Sequence, residues 1–155
     1  MAGQIDARLK ELGIALPEPP APRANYVGYV VTGNLIFTAG QVPLRDGKIE
    51  FVGTLGRDMT VEVGYEAAKL CAINVLAQVK LALGGDLERV VRCVKLTGFV
   101  NSTQDFVDQP KVINGASDLI VAVLGDKGKH ARSAVGMAAL PMGVATEVEG
   151  IFEFR

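Results

Sequence analysis

The chain has no tryptophan, two cysteines and one histidine among its 155 residues, and aromatic residues make up only 6% of it. So few aromatic side chains leave little from which a base-stacking surface could be built. Its 16 basic and 17 acidic residues are spread without blocks, and the formal net charge is −1. Because nucleic-acid-binding proteins need a basic patch, we expect no nucleic-acid partner.

Long apolar runs are also missing. The longest uncharged stretch, residues 24–44, is broken by glycine, asparagine and proline, and residues 1–16 contain Asp6 and Glu11. We therefore expect neither a membrane span nor a signal peptide. Cys71 and Cys93 lack the spacing of metal ligands, so we expect buried, reduced thiols, no metal and a cytoplasmic location. No phosphate-binding glycine loop is present, and no cofactor is expected.

The hydrophobic fraction, in contrast, is 49%, while charged residues make up 21%. The length suits one domain over residues 1–155. A small chain this rich in apolar side chains is expected to cover part of its surface with copies of itself, as symmetric homo-oligomers do.

The spacing of apolar residues predicts the elements of this domain. Ile5, Leu9 and Leu12 recur at helical spacing and predict a helix over 4–13, and four prolines in 17–22 then predict an extended connector. Residues 1–23 are thus an N-terminal helix and a proline-rich tether. The pattern further predicts strands over 26–32, 35–41, 49–52, 90–100, 132–139 and 144–154, and helices from Thr60 to Gly84 and over 110–124.

The predicted order after the tether is β-β-β-α-β-α-β-β, which is typical of an α+β fold. We expect one mixed sheet with both long helices packed on one face. The turn at 140–143 suggests that strands 132–139 and 144–154 pair with each other.

The arrangement around Arg132 is the most informative feature. Arg132 precedes a stretch, Ser133–Thr146, that contains no charged residue. A guanidinium stays charged and is costly to bury alone, so Arg132 needs a carboxylate from the protein or from a ligand. Glu147, on the strand expected to pair with it, allows both interpretations. The two side chains form a salt bridge, or Arg132 holds a ligand carboxylate while Glu147 orients a water molecule.

Two separated motifs resemble the RidA/YjgF family. The first is Gly33-Asn34-Leu35-Ile36-Phe37-Thr38-Ala39-Gly40-Gln41-Val42-Pro43. The second runs from Arg132-Ser133-Ala134-Val135 through Leu140-Pro141 to Glu147-Val148-Glu149. The resemblance covers residues 24–155, and the N-terminal extension and an insertion near 108–112 are similar to the longer subgroup of that family.

This resemblance implies a chorismate-mutase-like fold and a homotrimer with active-site clefts between neighbouring subunits. It implies hydrolysis of enamines and imines, such as 2-aminoacrylate, to 2-oxo acids and ammonia, so the expected ligand is a small 2-imino or 2-oxo acid. Some members carry an endoribonuclease label.

The resemblance also assigns roles to five residues. Arg132 matches the arginine that binds the substrate carboxylate, and Glu147 matches the acid near the attacking water. Tyr26 lines the cleft, Gly40 approaches the ligand through its backbone, and Asn114 lies near the start of the second helix. From the residues alone, Tyr26 could equally pack at an interface, and Asn114 could cap a helix or turn.

Two positions depart from the family pattern. Ala39 replaces a serine that could bond the substrate, and Ala134 replaces a cysteine. The lost hydroxyl at Ala39 motivates an alternative function, a non-catalytic small-carboxylate-binding or stress-associated protein of the same fold. His130, the single histidine, is more typical of a solvated loop than of a catalytic base.

Overall fold

The computed structural model describes residues 3–155, so residues 1 and 2 of the predicted N-terminal segment lie outside the described residues. Ten helices and strands follow one another along these residues. They are α1 (Gln4–Glu11), β1 (Tyr29–Thr32), β2 (Leu35–Thr38), β3 (Leu44–Arg45), β4 (Lys48–Ile49), α2 (Val61–Ala82), β5 (Val90–Asn101), α3 (Gln109–Leu124), β6 (Ala131–Met137) and β7 (Thr146–Phe154).

Five strands form one mixed sheet in the order β1-β2-β7-β5-β6, and β3 and β4 form a separate small hairpin. Only the β5–β6 pair is parallel, because α3 carries the chain back across the sheet between them. Edge strands β1 and β6 each leave one side without a partner among the described residues.

Both long helices pack on the same face of the sheet, as the sequence predicts. Thr60 begins α2, since its Oγ1 accepts a hydrogen bond from the Val63 amide at 3.3 Å. Gly84 and Gly85, both at positive φ, follow its end. Apolar side chains of these helices and of the central strands make the core; the largest that are fully buried include Leu76, Leu96, Ile113, Ile120 and Phe152.

The predicted pairing of the last two strands is wrong. β5 lies between β6 and β7 and pairs with both, parallel to β6 and antiparallel to β7. The short turn at Pro141–Gly143 therefore carries the chain over the end of β5 and does not close a hairpin. Strand ends also differ: the first begins at Tyr29 instead of residue 26, and the Leu44–Arg45 strand was not predicted.

Cys71 and Cys93 are buried and free, as expected. Burial raises the pKa of each thiol to about 12, so both stay protonated at neutral pH. Within residues 3–155 no helix is both long and apolar enough to cross a bilayer. The same part of the chain contains no cluster of side chains suited to a metal ion.

Candidate functional site

Arg132 lies on edge strand β6 and reaches toward helix α3. Its Nη1 donates to Asn114 Oδ1 at 2.8 Å and to Ser117 Oγ at 3.2 Å, and its Nη2 donates to the Pro110 carbonyl at 3.4 Å. All three acceptors are neutral. They fix the direction of the guanidinium without compensating its charge.

The guanidinium retains unused donors. Among residues 3–155, no carboxylate lies within salt-bridge distance of Arg132, and its Nε donates to no protein group. Nε and Nη2 form the side of a guanidinium that commonly binds a carboxylate through two parallel hydrogen bonds. Arg132 can therefore accept an external anion in the bidentate geometry that a small acid requires.

Ser117 and His130, which sequence reasoning did not place in the site, extend this network. His130 Nδ1 lies 2.6 Å from the Gly128 carbonyl oxygen, which can only accept, so Nδ1 carries the proton. In the tautomer protonated only at Nδ1, Nε2 accepts the Ser117 hydroxyl proton at 2.9 Å, and the Ser117 oxygen faces Arg132. His130 is thus tied into the support of Arg132 and is not a free loop side chain.

Asn114 does not cap a helix. It lies within α3, six residues after the N-cap position Asp108, and its side-chain oxygen accepts a hydrogen bond from Arg132. The structure thus brings Arg132 and Asn114 together. Spacing in the sequence could not show this, because the contact depends on how α3 packs beside β6.

Glu147 and Gly40 form a second group of predicted site residues. Gly40 follows β2 next to β7, and its Cα faces the Glu147 carboxylate so closely that any Cβ would collide with Oε1. Burial, and then the neighbouring charge of Glu149, raise the pKa of Glu147 above its usual value. Its carboxylate has no hydrogen-bond donor among the described residues. A half-buried carboxylate with a raised pKa is a suitable general base.

The two groups lie on opposite faces of the sheet. Arg132 is level with the buried Leu96, on the helix face, whereas Glu147 is level with Phe99, on the other face. The expectation that Arg132 and Glu147 approach each other across paired strands is therefore wrong within one chain. It failed because β5, not predicted between them, separates their strands.

Tyr26 lies before β1 with 62% of its surface exposed. It borders a groove that Gly28, Ala39, Gly40 and Gln41 also line. Tyr26 and Gly40 are therefore near one another, and Arg132 and Asn114 are not part of this groove.

The sheet face opposite the helices carries exposed apolar side chains. Val30, Phe37 and Val135 are 54%, 39% and 40% exposed. Val30 and Phe37 are directly opposite each other, and Phe37 is opposite Ile151 on β7, so three neighbouring strands contribute to one apolar strip. Glu147 belongs to the same face.

Comparison with known proteins identifies relatives over nearly the whole length. The profile of the family described as "YjgF/chorismate mutase-like, putative endoribonuclease" matches residues 6–151. Protein TCP17 of Trypanosoma cruzi is 48% identical over 155 residues, which span 99% of this chain and 96% of that protein.

Solved structures give the same result. The Agrobacterium tumefaciens protein Atu1372, described as having unknown function, is 52% identical with a TM-score of 0.92, and the match covers 97% of this chain and 92% of that one. Escherichia coli TdcF with bound serine is 26% identical with a TM-score of 0.62, over 89% of this chain and 94% of that one. The resemblance drawn from the two sequence motifs is confirmed.

Proposed function

Because this chain belongs to the YjgF/chorismate mutase-like family, we propose that it hydrolyses reactive enamines and imines, such as 2-aminoacrylate, to 2-oxo acids and ammonia. The observation that carries the proposal is the guanidinium of Arg132, held by three neutral oxygens and lacking an acidic partner among residues 3–155. TdcF, a relative with a bound serine, supports a small amino or imino acid as ligand.

In the proposed reaction, Arg132 binds the substrate carboxylate through two charge-assisted hydrogen bonds. 2-Aminoacrylate reacts as its imine tautomer, 2-iminopropionate. Water adds to the imine carbon while the Glu147 carboxylate accepts one proton of that water and passes it to the nitrogen, which gives the carbinolamine. The carbinolamine hydroxyl then gives up its proton, the nitrogen takes up a second proton, the C–N bond breaks, and ammonia leaves with the 2-oxo acid as product. No cofactor takes part. Imines hydrolyse without a catalyst, so much of the acceleration comes from holding the two reactants in position.

This reaction requires groups from two copies of the chain, because Arg132 and Glu147 leave one sheet in opposite directions. We propose a homotrimer whose clefts combine Arg132 and Asn114 of one subunit with Glu147, Gly40 and Tyr26 of a neighbour. The exposed apolar strip around Phe37 supports burial of this sheet face between copies. The buried, reduced thiols suit a cytoplasmic setting.

The test is decay of 2-aminoacrylate, generated in the assay, followed with and without the protein. Wild type should accelerate the decay, and Arg132→Ala should lower kcat/KM by about a hundredfold, since two charge-assisted hydrogen bonds are lost. Arg57→Ala is the matched control, because Arg57 is exposed, pairs with Asp58 and makes no hydrogen bond to Arg132 or to the residues that hold it. Equal decay with wild type and Arg132→Ala would refute the proposal.

A non-catalytic carboxylate-binding protein is the second candidate, and Ala39 is the observation that favours it, because it supplies no hydroxyl to a substrate. Under this alternative 2-oxobutyrate binds through Arg132 and imine decay does not change. RNA cleavage has less support. The net charge is −1, and the single histidine is hydrogen-bonded to Ser117 and Gly128.

A further inference from the structure

A groove of about 840 Å³ lies between helix α2, the proline connector and the β3–β4 hairpin. This volume is within the range of small-molecule pockets, about 300–1,000 Å³. Neither Arg132 nor Glu147 lines it. Tyr26 and Gly40 border it, so the groove is adjacent to residues of the proposed reaction site while its floor is separate from that site.

Gln78 is an unusual residue in the floor of this groove. It is on the buried side of α2 and only 5% exposed, and its side chain makes no hydrogen bond to residues 3–155. No fully sealed side-chain nitrogen or oxygen in this part of the chain lacks a partner, so the Gln78 amide is accessible from the groove. A ligand that bonds this amide in place of water would gain a hydrogen bond in a largely desolvated position.

Asn74, one turn earlier on the same helix face, has an evident structural role. Its Nδ2 donates to the Val42 and Leu44 carbonyls, both at 3.0 Å, and so fixes the chain that leads into the hairpin. Gln78 has no such role. Its amide instead packs against the Cα of Gly28, where a Cβ would displace it.

The rest of the groove specifies the chemistry of a ligand. Rings of Pro17, Pro20 and Tyr26 line it, together with apolar side chains of the hairpin such as Leu44 and Ile49. The charged residues that line it are Glu18, Arg23 and Asp46, of both signs, so the groove does not favour a strongly charged ligand. Flat rings pack well on proline and tyrosine, and an amide pairs best with another amide or a lactam.

We infer that the groove is a second ligand site, which takes a neutral, planar molecule carrying a primary amide or lactam, with the Gln78 side-chain amide bonding that group. The site does not depend on the imine chemistry. A ligand bound there would contact Tyr26 and Gly40, which also belong to the proposed reaction site.

The test uses benzamide and benzoate, which share size and shape and differ in charge. The isotope-labelled full chain is titrated with each to about 10 mM, and the side-chain NH₂ resonance of Gln78 is followed by NMR. Benzamide should shift this resonance and saturate it. Binding of benzamide, read from the backbone resonances around Tyr26, should weaken about tenfold in Gln78→Leu, because the amide hydrogen bonds are lost.

Two further variants test whether the effect of Gln78→Leu is specific to the Gln78 amide. Gln104→Leu, at an exposed glutamine, should bind benzamide like wild type, and Gly28→Ala, which displaces the Gln78 amide while retaining it, should bind benzamide more weakly. If benzamide leaves the Gln78 resonance unshifted, the inference is overturned. This is the result expected if a second copy of the chain covers the groove. Equal affinity of Gln78→Leu and Gln104→Leu overturns it too.

The benzoate titration separates this inference from the proposed function. Arg132→Ala should lose benzoate binding and keep benzamide binding, while Gln78→Leu should do the reverse. Loss of benzamide binding in Arg132→Ala would show a single site and overturn the inference. Failure of wild type to bind benzoate would instead contradict the carboxylate site at Arg132.

Discussion

The guanidinium of Arg132 is held by an amide oxygen, a hydroxyl and a backbone carbonyl. Such acceptors orient a cation while leaving its charge available, which a carboxylate partner would not do. The His130 ring in turn orients the Ser117 hydroxyl, so that its oxygen faces the guanidinium. The side chains of Asn114, Ser117 and His130 thus hold the Arg132 charge in one orientation, as the proposed carboxylate site requires.

Removal of the Ser117 hydroxyl tests this support. In Ser117→Ala, Arg132 loses one of its two Nη1 acceptors, and we expect the affinity for 2-oxobutyrate to fall about tenfold, measured by calorimetry. Ser133→Ala is the matched control, because Ser133 adjoins Arg132 on β6 but faces the other side of the sheet. Unchanged affinity in Ser117→Ala would show that the Ser117 hydroxyl does not help to hold the arginine.

The raised pKa of Glu147 predicts how stability depends on pH. Between the ordinary pKa of a glutamate and the raised value, the folded state binds more protons than the unfolded state, so the Glu147 contribution to stability falls as pH rises through that window. Glu147→Gln should therefore be more stable than wild type at pH 7. Denaturant unfolding should show this advantage shrinking as the pH is lowered, and an advantage that does not depend on pH would contradict the prediction.

At the scale of single residues, the local sequence pattern was sufficient to single out Arg132 as a candidate, and its role as a site residue stays a prediction. An arginine next to a long uncharged stretch marks a cation that needs an anion, and that feature identified Arg132. Ser117 was not considered and His130 was interpreted as a solvated loop side chain, because their contacts span 15 and 13 positions and depend on α3 packing beside β6. No local spacing encodes such a contact.

The sequence predicts the individual helices and strands more accurately than it predicts how the strands are arranged in the sheet. Cap residues and the periodic spacing of apolar residues predicted both long helices. In α2, for example, Thr60 begins the helix and glycines follow its end. The pairing of β6 with β7 was wrong because adjacency along the chain favours a hairpin, whereas the crossover through α3 makes β6 a parallel neighbour of β5. This one difference moves Glu147 to the opposite face from Arg132.

Packing between the two long helices depends on a glycine. Gly115 in α3 approaches the backbone carbonyl of Tyr65 in α2 so closely that no Cβ fits. Gly115→Ala should lower the free energy of unfolding by about 2 kcal/mol, since separating the helices outweighs the better helix propensity of alanine. Urea unfolding measures this, with Lys111→Ala on the exposed side of α3 as the control. A stabilised Gly115→Ala would show that the helices separate without cost.

At the scale of the whole molecule, the fold explains why one copy cannot complete the proposed site. Arg132 and its acceptors lie on the helix face at one edge of the sheet, and Glu147, which is next to Gly40, lies on the other face among exposed apolar side chains. The 49% hydrophobic composition pointed to self-association, and the strip around Phe37 locates the surface that would be buried. The central claim is that Arg132 of one copy and Glu147 of another act on the same substrate.

The most direct test of this claim is complementation between two inactive variants. Arg132→Ala and Glu147→Gln are refolded separately and as an equal mixture, and 2-aminoacrylate decay is measured for each. In a closed ring of copies, random mixing leaves about one site in four with both native residues, so the mixture should recover about a quarter of wild-type activity. A mixture as inactive as either variant alone would contradict a site shared between copies.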